Sequence, residues 1–498
     1  MNNTYVFFVG GTGARVLRSL VMLLASGNRV KDGGSIIPII IDYDVKNGDL
    51  LEAKSLLDCY CNLSEKGHYE QNEEGFFRQK VEVKDGSYAA IQYENSNKTF
   101  ADFLSYASMS NRGLESMQKL LESLFDNSND QTTAELNLDM SVGFKGNPNI
   151  GSVVFDDYFR NPAWKYDSLA AGINSGDKIF VIGSIFGGTG SSGIPQLIKN
   201  FEKTGSGAYQ NVQNAIKGAC LVLPYFGIKP SGESAVNSSI FNSKTKAALS
   251  YYNKELNDSL DEVYYIGCKD IGQYENHQGG DEQKNNAHLV ELLAAISILD
   301  FANRDFTYGH KEQPTTAYEF GVTHGYNSQD NKLHDISYLD LLGFDGANPE
   351  AEEYLYHLNS FAFFCKYFMD YTYSGKDDKQ HIFSSARSYY KALGNYIGNA
   401  SEFGKKLYWF SYQFRLWSEQ MAENSQIKFM PYDFKKEKIE ELICVNEKKP
   451  YPKGIINTMQ LELDRTSEEY KDKSHSGEYI FLRCAYAAGC SAAKRNVK

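Results

Sequence analysis

Apolar residues along the chain fall into short unbroken runs separated by segments in which they recur every three or four positions. Tyr5 to Val9, Ile36 to Ile41, Lys178 to Ile182, Ala219 to Leu223 and Val263 to Ile266 are short and mostly β-branched or aromatic. Such runs predict strands, and the lack of polar alternation within them predicts strands covered on both faces, as in a parallel sheet. Helical spacing follows the first run at Val16, Leu17, Leu20, Leu23 and Leu24. The alternation continues to about residue 300 and predicts an α/β fold, a parallel sheet with flanking helices. Leu289, Leu292, Leu293, Ile296, Leu299 and Phe301 predict one long buried helix between Asn285 and Asn303. The polar stretch from Cys61 to Asn97 reads as an insertion or small hairpin, and Asn127 to Thr133 as a loop. Past about residue 350 the strand pattern fades into aromatic stripes at helical spacing, Tyr354, Leu358, Phe361 and Cys365, then Trp409, Phe410, Gln413, Phe414 and Trp417. These stripes read first as core and second as a groove for a protein partner. The chain is therefore divided into an α/β domain over 1–310 and a mainly helical C-terminal region over 311–498.

Composition agrees with a globular protein of two or three domains, since 498 residues exceed one ordinary core and 42% are hydrophobic. The 63 acidic and 51 basic residues leave a net charge of -12, which opposes attachment to nucleic acid or to an anionic membrane. The N-terminus has no basic segment and its apolar run ends at Gly10, so neither a signal peptide nor a membrane span is expected. The eight cysteines are scattered rather than clustered, which predicts free thiols and a cytoplasmic protein. Cys59, Cys61 and His68 lack the paired spacing of a metal site and read as ordinary thiols with a nearby histidine.

Candidate chemistry lies in glycine-rich turns. Val9-Gly10-Gly11-Thr12-Gly13 follows the first strand and opens a helix, where glycine lets the backbone approach a ligand and the helix start offers free N–H groups to an anion. A second turn, Phe186-Gly187-Gly188-Thr189-Gly190-Ser191-Ser192-Gly193, follows the strand ending at Ile182 and adds hydroxyls that can donate to phosphate. Two anion cradles on one sheet point to a di- or triphosphate, against the plainer reading of two tight packing turns.

The run Gly187-Gly188-Thr189-Gly190-Ser191-Ser192-Gly193-Ile194-Pro195 resembles the signature of the tubulin and FtsZ family, departing from it at Phe186 and Ser192. Gly10-Gly11-Thr12-Gly13 resembles the family's first phosphate loop, and Gly146-Asn147-Pro148-Asn149-Ile150-Gly151 its third, in matching order. The resemblance covers roughly residues 1–310 and implies a tubulin/FtsZ-like fold in a divergent bacterial tubulin-like protein. It further implies GTP or GDP as ligand, with Mg2+ near Asp42 and Asp44, and GTP hydrolysis coupled to self-association. Asn285 and Asn286 stand where the family reads guanine, with helix capping as the plainer role, which also suits His288. Asn303 and Asp305 stand where the family carries the group that acts on a neighbouring subunit's nucleotide. The C-terminal third does not resemble the family's second domain, so filament formation does not follow.

Two other readings stay open. A Rossmann dinucleotide enzyme would use Gly11 and Gly13 with Asp42, but Val16 stands where its third glycine belongs and the second turn has no role. A nonenzymatic scaffold gated by nucleotide would need no catalytic carboxylate. A P-loop enzyme is a weaker reading still, because neither turn continues into Gly-Lys-Ser/Thr and the lysine that contacts the terminal phosphates is missing.

Overall fold

A computed structural model describes residues 2–67, 73–84, 88–90, 99–125, 134–140, 143–144, 146–161, 164–205, 207–228, 238–269, 272–274, 284–323, 325–327, 332–334, 336, 349–373, 401–424, 427–443, 453–470 and 474–497. His68 and the segment Asn127 to Thr133 lie outside the described residues.

Among the described residues the main sheet has seven strands, all parallel: β1 (Thr4–Val9), β2 (Ile36–Asp42), β3 (Tyr88–Ala90), β4 (Lys178–Ser184), β5 (Ile216–Val222), β6 (Glu262–Cys268) and β7 (Thr316–Val322), in the order β3-β2-β1-β4-β5-β6-β7. Every residue of β1 and β2 is buried, which is why both read as unbroken apolar runs. The side-chain period of two divides them between two cores. Val6 and Phe8 join the first with α1 (Gly10–Ala25), α2 (Gly48–Gly67) and α5 (Leu289–Asn303), while Tyr5, Phe7 and Val9 join the second with α3 (Pro148–Arg160) and α4 (Thr189–Phe201).

The C-terminal region is mainly helical, with α6 (Pro349–Tyr367), α7 (Glu402–Ala422), α8 (Ile455–Tyr470) and α9 (Gly477–Val497). Its aromatic stripes are core in the main: Phe361, Phe410, Phe414 and Trp417 are buried, with Phe77 edge-on against Phe361 and Phe410, while Trp409 on the other side of its helix is exposed. Trp417 Nε1 donates to Ser19 Oγ at 3.1 Å, so α7 seats directly on α1. These helices share the core of α1 instead of forming one of their own.

Two expectations need correction. Strand β7 lies beyond residue 310, so the sheet extends past the boundary placed there. As an edge strand it is largely exposed and lacks the apolar run that marks the inner strands. The polar stretch beginning at Cys61 is no single insertion: helix α2 continues to Gly67 and Tyr88–Ala90 forms the other sheet edge. Cys59 and Cys61 lie on α2 as free thiols, with burial pushing them up to about 12 and about 11. Among the described residues no helix is long and apolar enough to cross a membrane.

Candidate functional site

The chain winds from β1 outward through β2 to β3, then returns to β4 and winds the other way to β7. Open α/β sheets bind ligands at such a reversal, in the crevice outside the carboxyl ends of the strands. Val9 is level with Ile41 on one side and Gly183 on the other, so β1, β2 and β4 finish together at that edge.

Three glycine turns meet there. Gly10 has φ +73°, and a Cβ built on it would lie 3.2 Å from Thr189 Cβ. A Cβ on Gly188 would lie 3.1 Å from the Gly146 nitrogen. The first and third turns therefore both abut the second, and Gly11, Gly187, Gly188, Thr189, Gly146, Asn147 and Pro148 remain half-buried along the crevice. Helices α1, α4 and α3 begin at these turns, and none has a side-chain cap on its first N–H groups. Three uncapped helix starts bring free donors and the positive ends of three dipoles to one edge. Lys244, half-buried on the helix Ser238–Glu255, adds a cation by donating to the Gly146 carbonyl. Burial lowers its pKa against the pull of Glu135. Sequence reasoning passed over Lys244, because only the packing of its helix on the third turn brings it to the site.

The glycines have different duties. A Cβ on Gly13 would meet the Phe8 carbonyl carbon at 2.7 Å, and one on Gly190 would collide with the Ser184 carbonyl oxygen, so these two let helices pack onto strands. Gly11 has only Asn47 Nδ2 at 3.7 Å, which leaves room for a ligand. Ser191 and Ser192 differ from expectation. Ser191 Oγ donates to the Gly187 carbonyl and Ser192 Oγ to the Gly188 carbonyl at 2.7 Å, and Ser192 is wholly buried beneath Gly151. Both hydroxyls bond back one helical turn, so this part of the cradle rests on backbone N–H groups.

Asp42 ends β2 and Asp44 follows in the turn to α2, both buried. Asp42 Oδ1 accepts from the Asp44 amide at 3.2 Å, while Oδ2 is buried and has no hydrogen-bond partner among the described residues. Burial, with help from Asp44 and Asp49, pushes the Asp42 carboxyl up to about 7. An orphaned carboxylate oxygen beside a second carboxylate fits a cation. Among the described residues no group of three metal-ligating side chains occurs.

Asn285 and Asn286 precede α5, whose N-cap is His288: its Nδ1 accepts from the Val290 amide at 3.1 Å, and Glu291 closes the capping box. Burial lowers the His288 pKa to about 3, so the ring is neutral. Asn285 is half-buried and donates to Asp49 through its backbone and its side-chain amide. Asp49 belongs to a buried network in which Arg15 pairs with Glu291 at 2.8 Å and Tyr225 donates to Glu291 at 2.9 Å. Asn286 is exposed and bonds Glu423 of the segment after α7 at 3.4 Å.

Asn303 and Asp305 lie elsewhere. Asn303 Oδ1 accepts from the Lys31 amide at 2.7 Å and its Nδ2 donates to the Arg29 carbonyl at 3.2 Å, which anchors the loop after α1. Asp305 is exposed and acts electrostatically on Lys178, the first residue of β4, whereas the glycine turn follows the last. A strand of 7 residues separates the two ends by roughly 20 Å. Asp305 cannot reach the crevice of its own chain.

Neither a protein-family profile nor a curated protein sequence matches the chain. Among solved structures, CetZ from Methanosaeta thermophila is similar over 60% of this chain and 54% of its own length, at 14% identity and a TM-score of 0.29. That likeness is too distant to assign chemistry, and the site stands on its own residues.

Proposed function

We propose that the chain binds a guanosine di- or triphosphate with Mg2+ in this crevice and hydrolyses the triphosphate at a site completed by a second copy. The observation that carries the reading is the mutual contact of three uncapped helix starts at the point where strand order reverses. The starts of α1 and α4 take the inner phosphates through backbone N–H groups. Gly146, Asn147 and Lys244 stand where a terminal phosphate would add its charge. Asp42 and Asp44 would hold Mg2+, which would neutralise phosphate charge. With its amide committed to Asp49, Asn285 offers a base its acceptor Oδ1, which complements the N1–H and N2–H donors of guanine. The contact between three separate turns favours a polyphosphate over the dinucleotide of a Rossmann enzyme, which needs only the first.

Phosphoryl transfer needs a group that places water in line with the leaving oxygen. The three turns contain no carboxylate or glutamine, and Asp305 on the far edge is exposed to a neighbour. A second reading, a nucleotide-gated scaffold without hydrolysis, is favoured by the missing second acidic residue beside Asp305.

The deciding experiment is mass identification of the nucleotide released on denaturing the purified protein, followed by calorimetry with GTP and ATP. Guanine nucleotide in the wild type, lost in folded Gly11→Val, is the expected result. Undiminished GTP affinity in that variant would place the ligand elsewhere, and a released dinucleotide would restore the Rossmann reading.

A further inference from the structure

Helix α1 has 16 residues, so its two ends are about 24 Å apart. The glycine crevice lies at its start. Just past its end is a separate cavity of about 320 Å³, bounded by the loop Gly27 to Lys31, by Glu74, by the last residue of α5 and by α6 and α9. Gly27 lines it and lets the Gly75 carbonyl and the Tyr486 ring pack close to the backbone. Gly27 has φ +102°, and a Cβ there would come 3.1 Å from the Tyr486 ring and 3.5 Å from His357 Nδ1.

Both charges are present on the walls. Arg29 pairs with Glu74 Oε1 at 2.8 Å, and Arg78 holds the same oxygen at 2.8 Å, so two guanidinium groups neutralise this carboxylate while the Arg29 fork keeps further donors. Lys31 faces Glu353 at a looser 3.8 Å, with both side chains more than half exposed. An exposed pair of this kind adds little to stability, so a ligand opens it at little cost. Burial lowers the His357 pKa and favours the neutral ring, which stacks on Tyr486 at 6.0 Å between centroids. Tyr354 supplies a further aromatic wall.

We infer that this cavity is a binding site for a free α-amino acid with an apolar, preferably aromatic, side chain. Its carboxylate would take Arg29 and Lys31, its ammonium group would take Glu353, and its side chain would lie against the His357 and Tyr486 rings. A ligand with one charge would leave Lys31 or Glu353 without a partner, whereas a zwitterion replaces the loose pair with two closer ones. The volume is at the small end of ligand pockets, which run roughly 300–1,000 Å³, and this limits the guest to amino-acid size. Because the walls come from both the α/β part and the C-terminal helices, the ligand would tie the two together.

The test uses the full chain without nucleotide, so its outcome is independent of what the glycine crevice binds. L-phenylalanine, L-leucine, 3-phenylpropanoate and phenethylamine are titrated by calorimetry and by thermal unfolding. The expected result is saturable binding of phenylalanine with a Kd of about 1 mM or tighter and a rise in unfolding temperature, with each single-charge analogue at least about tenfold weaker. Lys31→Gln and Glu353→Gln, both at exposed positions, should each remove that preference while unfolding at the wild-type temperature. Equal affinity for 3-phenylpropanoate would make this a simple anion site and overturn the inference. So would the absence of saturable phenylalanine binding, or phenylalanine binding unchanged in both variants.

Discussion

Asn285 donates to both oxygens of Asp49, through its backbone N–H at 2.9 Å and its side-chain amide at 2.7 Å. The segment leading into α5 is thereby tied to the first turn of α2, beside the crevice, and the Asn285 amide has one fixed orientation. Replacing Asn285 by Ala is expected to weaken GTP about tenfold, the scale of one net hydrogen bond, and to leave inorganic tripolyphosphate unaffected. Calorimetry with both ligands checks this. Equal losses for the two would mean that Asn285 supports the phosphate turns and does not read the base.

The different duties of the glycines give opposite expectations for two substitutions. Gly11→Val points a side chain into open crevice and should abolish nucleotide binding at nearly unchanged stability. Gly190→Ala drives a methyl group against the Ser184 backbone and should cost about 2 kcal/mol or more of folding stability. Denaturant unfolding of the two proteins separates these effects. A Gly190→Ala protein as stable as the wild type would contradict the packing role.

Lys244 is anchored on the third turn, where only a terminal phosphate would sense it. Lys244→Ala should weaken GTP about tenfold more than it weakens GMP, with partial recovery in Lys244→Arg. Competition binding across the mono-, di- and triphosphate tests the order, and a uniform loss would count against a terminal-phosphate contact.

Hydrolysis completed between copies requires that Asp305→Ala and Gly11→Val, each inactive alone, recover activity when mixed, since an intact crevice can then meet an intact Asp305. Gly11→Val serves better here than a change at Gly190, which would disturb the strand beneath. Normal turnover by Asp305→Ala alone would remove the residue from the mechanism, and an inactive but associated mixture would favour the nucleotide-gated scaffold.

His310 locks the loop before β7 by bonding Asp261 Oδ2 at 2.8 Å, with Glu202 at 3.8 Å and Lys217 and Lys311 also around the cluster. Burial opposes its charge, but Asp261 and Glu202 outweigh burial and raise its pKa above the ordinary value. The folded state therefore binds the proton more tightly than the unfolded chain. The resulting stabilisation is complete below the unfolded histidine pKa of about 6.5 and is lost as pH rises through the folded value. His310→Ala should cost about 2 kcal/mol at pH 6 and clearly less at pH 9, read by denaturant unfolding. An equal cost at both pH values would show that the charge on His310 is not involved.

Much of this architecture was legible in the sequence, and the rest was hidden for a physical reason. Strands β1, β2, β4, β5 and β6 could be read locally, because burial on both faces demands unbroken apolar runs. The glycine turns were equally legible, since a strand-to-helix turn with a close backbone approach restricts its residues whatever surrounds it. The exposed edge strand β7 lacks that apolar constraint, and the sheet was cut short at residue 310 for that reason. Only the tertiary structure decided that Gly11 faces open space while Gly13 and Gly190 face backbone, or that Ser191 and Ser192 bond back to their own turn. It alone brought Lys244 to Gly146, Asn285 to Asp49 and Gly27 to Tyr486. Each of these pairs joins residues about a hundred or more positions apart, and such contacts depend on how finished elements pack. A local pattern records the environment of a residue along its own helix or strand, and the identity of a distant partner leaves no mark in it.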